Sequence, residues 1–272
     1  MSRPSYLLGH SDRELERLGT QARLVNPITR RFFLAAGIAP GMRVLDVGSG
    51  AGDTALLAAE MVGPAGEIVG VDRSPEALAV ARARTKSLSH VSFREGDLAS
   101  IRFDRPFDAA VGRYVLMFQA DPVAVLRSVA AHVRAGGPIA FHEPDWGGIR
   151  SFPDATVYQK ACRWIIETIH AVGHEAAMGT KLHATFVAAG LPEPMMGLEA
   201  LVGGGSNAID AVDLIADIVE SILPAMEGAG VARAADVEIA TLKERMRREV
   251  TEKGSVVVGR SEVGAWTRRA DH

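Results

Sequence analysis

One cysteine, Cys162, stands in the whole of the 272 residues. That excludes an intrachain disulfide and a cysteine-cluster metal site, and the thiol reads as a small buried hydrophobe rather than a nucleophile. Charge of one sign is also lacking: 30 Lys and Arg against 33 Asp and Glu leave a formal net charge of −3, with both signs scattered. Such a balance gives no footprint for nucleic acid or for an anionic membrane. No apolar run is long enough to span a bilayer, and the N-terminal stretch has no apolar core of a signal peptide, so a cytoplasmic protein is expected. Internal repeats and low-complexity segments are absent as well. What is present is a chain of 47% hydrophobic residues, which is globular rather than disordered. Its length suits one enlarged domain with a sizeable core, or two small ones.

The most informative stretch runs from Met42 to Asp72. Val44, Leu45 and Val47 form a short apolar run that ends in glycines, as a buried parallel strand does. Gly48, Gly50 and Gly52 follow with one residue between each. Residues 54–62 are rich in helix formers, and Gly63-Pro64-Ala65-Gly66 stops them. A second apolar run, Ile68-Val69-Gly70-Val71, ends in Asp72. Strand, glycine loop, helix, strand and acid in this order are the plan of a nucleotide-type site.

The spacing also bears on the ligand. Counted from Gly48, the last position of G-x-G-x-x-G falls on Asp53; counted from Gly50, G-x-G-x-x-A fits and ends at Ala55. Asp53 then stands in the helix's first turn, where a dinucleotide's pyrophosphate would sit, and like charges repel. Asp46 adds a second carboxylate just before the loop. Two acids around the glycines suit a ligand that brings positive charge, and Asp72 at the tip of the next strand suits a ribose diol.

Val44-Leu45-Asp46-Val47-Gly48-Ser49-Gly50-Ala51-Gly52 resembles motif I of class I S-adenosylmethionine (SAM)-dependent methyltransferases, with Ser49 where that loop often carries Cys. The resemblance implies SAM as cofactor. It implies that Asp46, Gly48, Ser49 and Gly50 hold the methionine end and that Asp72, with Arg73 beside it, binds the ribose. It also implies an adenine site at the end of the third strand, at Asp97 and Leu98. The resemblance covers residues 43–145 well and the rest loosely. It is strongest to small-molecule enzymes similar to those of quinone biosynthesis and secondary metabolism.

Residues 1–41 read as a helical cap. Ser11-Asp12-Arg13-Glu14 is a capping box, and Asn26-Pro27 restarts the chain with Asn as cap and Pro at the first helical position. Most of the segment reads as a brace on the sheet, with a cofactor contact assigned to Gln21; Tyr6 and His10 are the other polar candidates. Ser74-Pro75-Glu76 opens a second crossover helix, and 90–94 is a third strand.

A fourth strand at 107–111 leads to Gly112-Arg113-Tyr114. Arg113 either pairs bidentately with the methionine carboxylate or is a surface arginine paired with Asp108 or Asp121. Asp121-Pro122 opens the next helix. The fifth strand at 139–141 then runs into a loop, His142-Glu143-Pro144-Asp145-Trp146, the densest titratable group near the expected cleft. His142 is the best candidate base, because its ordinary pKa lies close to neutrality, and Glu143 is its companion. H-E-x-D in a proline-containing loop does not place metal ligands on one helical face, so no metal is expected.

Beyond lie two helices within 154–189 and a sixth strand at 195–201. An acidic amphipathic helix at 209–226, a further helix at 237–250 and a closing strand pair at 255–258 and 263–266 complete the chain. The expected architecture is α/β: a doubly wound, seven-stranded Rossmann-like methyltransferase sheet in a single domain over 1–272. An N-terminal helical cap occupies 1–41, the SAM-binding core 42–205 with a helical lid at 147–175, a helical insertion 206–254 and closing strands 255–272. The insertion reads as a lid over the acceptor pocket or as a homodimer surface. The expected reaction moves a methyl group to an O, N or C atom of a small-molecule acceptor. An NAD(P)-dependent oxidoreductase and a SAM-binding protein that does not methylate are the alternatives.

Overall fold

The computed structural model describes residues 12–98 and 100–270, with side chains from residue 21 onward. In chain order the elements are α1 (Asp12–Ala36), β1 (Arg43–Val47), α2 (Asp53–Val62), β2 (Glu67–Asp72), α3 (Pro75–Arg84), β3 (Val91–Glu95), β4 (Ala109–Arg113), α4 (Pro122–His132), β5 (Pro138–Asp145), β6 (Arg150–Phe152), α5 (Thr156–Ala171), α6 (Met178–Ala188), β7 (Met195–Gly204), α7 (Ile209–Gly228), α8 (Ala234–Val237), α9 (Ile239–Glu252) and β8 (Val256–Arg268). The chain divides into two compact units. One takes residues 24–144, 177–199 and 262–270, the other 12–23, 145–176 and 200–261.

The first unit carries the sheet. The sheet has eight strands, the expected seven and β6 in addition, in the order β3-β2-β1-β4-β5-β8-β6, with β7 also paired to β8. The pairings from β3 through β5 are parallel, with Val44 opposite both Ile68 and Ala109. β1, β2 and β4 are largely buried and apolar because helices cover both faces, whereas β3, at the edge, exposes Ser92, Arg94 and Glu95. Ala140 packs with Val44, Ile68 and Val111 against Phe33 of α1 and Ala55 and Ala58 of α2. Its neighbour Phe141 faces the other way, edge-on to Phe186 of α6 at 6.3 Å. Sequence order along the sheet reverses between β1 and β4. In an open α/β sheet the crevice for a ligand opens there, outside the carboxyl ends of the strands.

In the second unit α5, α7 and α9 pack together, burying Tyr158, Cys162 and Ile165 with Val212, Ile215, Val219, Leu242 and Met246. Glu249 of α9 accepts from the Thr156 and Val157 amides and so closes the N-terminus of α5. β6 pairs antiparallel with residues 256–258 of β8. Cys162 is buried, as expected, and burial pushes its thiol up to about 12.

Three expectations of local structure change. Asn26-Pro27 does not restart a helix: α1 runs through Pro27 without a break, and the Asn26 side chain accepts from Arg113 instead of capping. The closing strand pair is one 13-residue strand, β8. Arg260 and Glu262, between the two expected strands, are buried there with partners: Arg260 lies over the Trp146 ring at 5.1 Å, and Glu262 takes His142 and Tyr114. The fifth strand does not stop at Phe141 but carries His142, Glu143 and Asp145 in extended backbone. Its ladder to β4 ends at His142, so Pro144 interrupts no bond on that side. Ser11, Tyr6 and His10 lie outside the described residues. Among the described residues no helix is long and apolar enough to cross a membrane.

Candidate functional site

The loop between β1 and α2 is shaped by its glycines. Gly48, Gly50 and Gly52 adopt φ of +63°, +49° and +87°, values that L side chains rarely take. Gly48 has a further reason to be bare: a Cβ there would lie 2.8 Å from Cγ2 of Val115. The loop is tied to β2 at both ends of the turn. Ser49 N–H donates to the Val71 carbonyl at 3.0 Å, and Gly50 N–H donates to Oδ2 of Asp72 at 2.9 Å. The other oxygen of Asp72 accepts from Ser74 N–H at 2.9 Å.

At the end of β1 and in the loop that follows stand two buried polar side chains, Asp46 and Ser49, whose oxygens lack a hydrogen bond. Neither carboxylate oxygen of Asp46 has a hydrogen bond, nor has Oγ of Ser49; these are three of the six such atoms among the described residues. Asp46 is fully buried. Burial pushes its pKa well above the ordinary carboxylate value; the positive charge of Arg113 pulls it down, Asp72 and Asp53 push it further up, and the Ala55 amide, close by but without hydrogen-bond geometry to either oxygen, lowers it least. A buried acid without a hydrogen-bonding partner is a cost of several kcal/mol in real proteins. A cation placed there would relieve it.

The neighbouring acids differ. Asp53, in the first turn of α2, pairs with Arg84 at 2.7 Å. Its charge is therefore largely balanced within the fold, and the acidity of the loop rests on Asp46 and Asp72. Asp97 is half exposed, with Nε of Arg73 at 3.8 Å. Arg73 itself donates to the side-chain oxygen of Gln119 at 2.7 Å. Leu98 is buried, and its carbonyl accepts from Ser128. Asp46, Gly48, Ser49, Gly50, Asp72, Arg73, Asp97 and Leu98 thus all sit at the carboxyl ends of β1, β2 and β3 or in the turns that follow them. Gln21 lies on α1 in the other unit, half buried.

Arg113 settles one open alternative. It is buried rather than on the surface, and Asp108 and Asp121 are engaged elsewhere, on Arg134 and at the N-terminus of α4. Its Nη1 donates to Oδ1 of Asn26 at 2.7 Å and to Oγ1 of Thr29 at 3.2 Å. Tyr114, next in the chain, is a non-glycine residue at φ +56°, a conformation that costs roughly 1–2 kcal/mol and clusters at functional sites.

His142 and Glu143 are the sequence candidates for proton transfer, and both are completely buried. The His142 ring is held at both nitrogens, Nδ1 to Oγ1 of Thr29 at 3.0 Å and Nε2 to Oε2 of Glu262 at 2.9 Å. The same oxygen of Glu262 accepts from the Tyr114 hydroxyl at 2.7 Å. Thr29 has one hydroxyl proton. Donated to the Val25 carbonyl, 3.1 Å away, it leaves Nδ1 as the donor to Thr29, so one further proton must lie between Nε2 and Glu262. Glu143 accepts from three consecutive amides, Val115 and Leu116 on Oε1 at 2.8 Å each and Met117 on Oε2 at 3.3 Å. Burial pushes its carboxyl up to about 7, against those three amides; the charge of Glu262 adds to the rise.

Sequence reasoning does not find Thr29, Tyr114 and Glu262. For Glu262 a signal existed: an acid embedded in the valine-rich run Val256 to Val263 is out of place unless it is buried with a partner. For Tyr114 and Thr29 no signal exists, since φ and cross-element contacts are not written in local pattern.

The methyltransferase domain model matches residues 38–190, which contain the whole glycine loop, Asp72, Asp97, Arg113 and the end of β5. Among relatives, the 2-phytyl-1,4-naphtoquinone methyltransferase of Synechococcus elongatus is 36% identical over 134 residues, 47% of this chain and 56% of that protein. The arsenite methyltransferase of Aquipseudomonas alcaligenes is 35% identical over 130 residues, 43% of this chain and 38% of that one. The matched stretch therefore spans only 38–56% of these relatives' own length. Among solved structures, the YcgJ protein from Bacillus subtilis covers 92% of this chain and 100% of its own at a TM-score of 0.56 and 18% identity, a likeness of fold. With more than half of its residues matched to one model, and the motif residues lying inside the match, the chain belongs to the methyltransferase domain family.

Proposed function

We propose that the protein is a SAM-dependent methyltransferase acting on a small-molecule acceptor, at an O, N or C atom. The observation that carries this reading is the buried, partnerless carboxylate of Asp46 beside the bare backbone of Gly48, Ser49 and Gly50. The residues fit the cofactor. Asp46 would accept from the ammonium of its methionine end, and Ser49 supplies a second uncommitted polar atom next to it. Arg113 carries the charge to meet the methionine carboxylate from the same pocket wall. Asp72 has each carboxylate oxygen on one amide, and a carboxylate oxygen accepts more than one hydrogen bond, so it can also take a ribose diol. Asp97 and Leu98 follow at the end of β3 for the adenine.

When bound, this cofactor supplies a sulfonium methyl that an acceptor nucleophile can displace in line. The chain's part is position and electrostatics. His142 is inside the wall with both nitrogens engaged, so a proton leaving the acceptor would pass to the Tyr114 hydroxyl as that hydroxyl gives its own proton to the Glu262 carboxylate, and His142 would hold that carboxylate in place. The quinone and arsenite substrates in the relatives' names support a small acceptor without choosing among them. A homodimer and a cytoplasmic location belong to the same proposal. So does a single domain with a helical lid at 147–175 and a helical insertion at 206–254 that serves as a lid over the acceptor pocket or as a dimer surface.

An oxidoreductase needs a diphosphate at the loop. The two acids Asp46 and Asp72 oppose it there, although Asp53 is balanced by Arg84. A thermal-shift comparison of S-adenosylhomocysteine with NADH separates the two readings: stabilisation by the first alone is expected, and stabilisation by NADH alone overturns the proposal. Turnover on an acceptor panel with SAM, read as a product mass higher by one methyl, then distinguishes a methylating enzyme from a protein that only binds SAM.

A further inference from the structure

We propose that Glu143 is a positioning residue: its anionic carboxylate clamps the turn after β4 and, through Val115, fixes the donor loop for its adenosyl ligand. The inference rests on the SAM reading above. Three contacts make the chain of cause. Glu143 is at 0% exposure on β5 and takes the amides of Val115, Leu116 and Met117, the open N-terminal donors of the 3-10 turn Leu116–Phe118. That turn begins immediately after Tyr114, which is held at φ +56° and whose amide donates to the His142 carbonyl at 2.9 Å. The turn then sets Val115 against the loop, with its methyl Cγ2 2.8 Å and Cγ1 2.9 Å from where a Cβ on Gly48 would stand. Gly48 lies two residues from Asp46. The Glu143 carboxylate thus takes the open amides of the turn that joins a strained residue, Tyr114, to the side chain packed on Gly48.

The need for an anion follows from donor counting. Three N–H groups converge on Glu143, so an acceptor-only group serves them. A protonated carboxyl or a glutamine amide brings a donor of its own to the same three donors, and one contact turns repulsive. The titratable groups around Glu143 are Glu262 from β8, whose charge raises it, and His142 and Tyr114, both hydrogen-bonded to that Glu262. With a carboxyl that titrates at about 7, the clamp is set above neutrality and released below it.

The experiment is calorimetric titration of wild type and Glu143→Gln with S-adenosylhomocysteine from pH 5.5 to 8.5, read as the ratio of the two affinities. Asp46 titrates in both proteins, so its effect cancels in the ratio. The wild type is expected to bind at least tenfold more tightly at pH 8.5, with the ratio falling towards one at pH 5.5. Equal affinity at pH 8.5, or a ratio that does not change with pH, overturns the inference, because a shape defect alone would not titrate. Should the variant not fold, hydrogen exchange of the Val115, Leu116 and Met117 amides in the wild type takes its place. Protection that falls below pH 7, beyond the intrinsic pH dependence of exchange, supports the clamp, and protection that ignores pH overturns it. Wild type that binds no S-adenosylhomocysteine at any pH, while these amides still lose protection, overturns the donor reading and leaves the hold of Glu143 on the turn.

Discussion

Two buried acidic regions lie at the carboxyl edge of the same sheet and are built in opposite ways. At the end of β1, Asp46 is fully buried and its two oxygens have no hydrogen-bonding partner. At the end of β5, Glu143 and the facing Glu262 are as deeply buried, and both are bonded: three amides for one, His142 and Tyr114 for the other. Burial raises the pKa of Asp46 and of Glu143 alike, so the pKa does not distinguish a binding group from a scaffold group. Hydrogen-bond satisfaction does. A saturated carboxylate stabilises the fold that holds it, whereas an unsatisfied one costs the empty fold and gains only when a ligand arrives.

The sharpest way to break the comparison is to neutralise each side in turn. Asp46→Asn removes the partner of a buried cation, and a loss of roughly 100- to 4,000-fold in affinity for S-adenosylhomocysteine is expected from the 3–5 kcal/mol such breaks cost. The same change should stabilise the ligand-free protein, by about 1–3 kcal/mol above neutral pH. The sign follows from linkage. The native state holds the Asp46 proton more tightly than the unfolded chain does, so the wild type loses stability as pH rises above the ordinary carboxylate range. The variant does not, and its advantage in urea melts should vanish near pH 4.

Glu262→Ala is the opposite case. It strands the His142 Nε2 and the Tyr114 hydroxyl in the interior, and a loss of about 3 kcal/mol or more is expected. Replacing the pair together, His142→Phe with Glu262→Leu, should recover much of that in the same chemical denaturation. Recovery would show the pair to be scaffold. Failure of the double variant to methylate, when Asp46 and its loop are intact, would show that the chain of hydrogen bonds also carries a proton.

Glycine substitutions give a smaller effect that sharpens the geometry. Gly48→Ala meets Val115 and a φ of +63°, and about 2–3 kcal/mol of destabilisation is expected from crowding and the left-handed backbone. Gly50→Ala, at φ +49° with open space around it, should cost about 1 kcal/mol. Asp97→Asn should matter least to the fold, within about 0.5 kcal/mol, because its pairing with Arg73 is half exposed. It should still weaken S-adenosylhomocysteine by about fivefold, the worth of one hydrogen bond.

The parallel core and the glycine loop are legible in the sequence because their determinants are local: an apolar run, spaced glycines, a helix-forming stretch and an acid at the next strand's tip. Ser74 and Asp121 cap their helices where the pattern places them. The breaks are misread where tertiary contacts override local punctuation. Pro27 stays inside α1 because Asn26 is occupied by Arg113, from 87 residues away. β8 passes Arg260 and Glu262 because each finds a buried partner, Trp146 or His142, more than 100 positions away. His142 stands out in the sequence as a titratable group at a strand end. That both its nitrogens are taken could not be read, since Thr29 and Glu262 lie 113 and 120 residues away in the chain.

The most direct test is calorimetric titration of the wild type and Asp46→Asn with S-adenosylhomocysteine, alongside their unfolding free energies without ligand. Saturable heat with the wild type, at least a 100-fold weaker variant and an equal or higher stability for that variant are the predicted result. No heat with the wild type, or a variant that binds as tightly as the wild type, would contradict it.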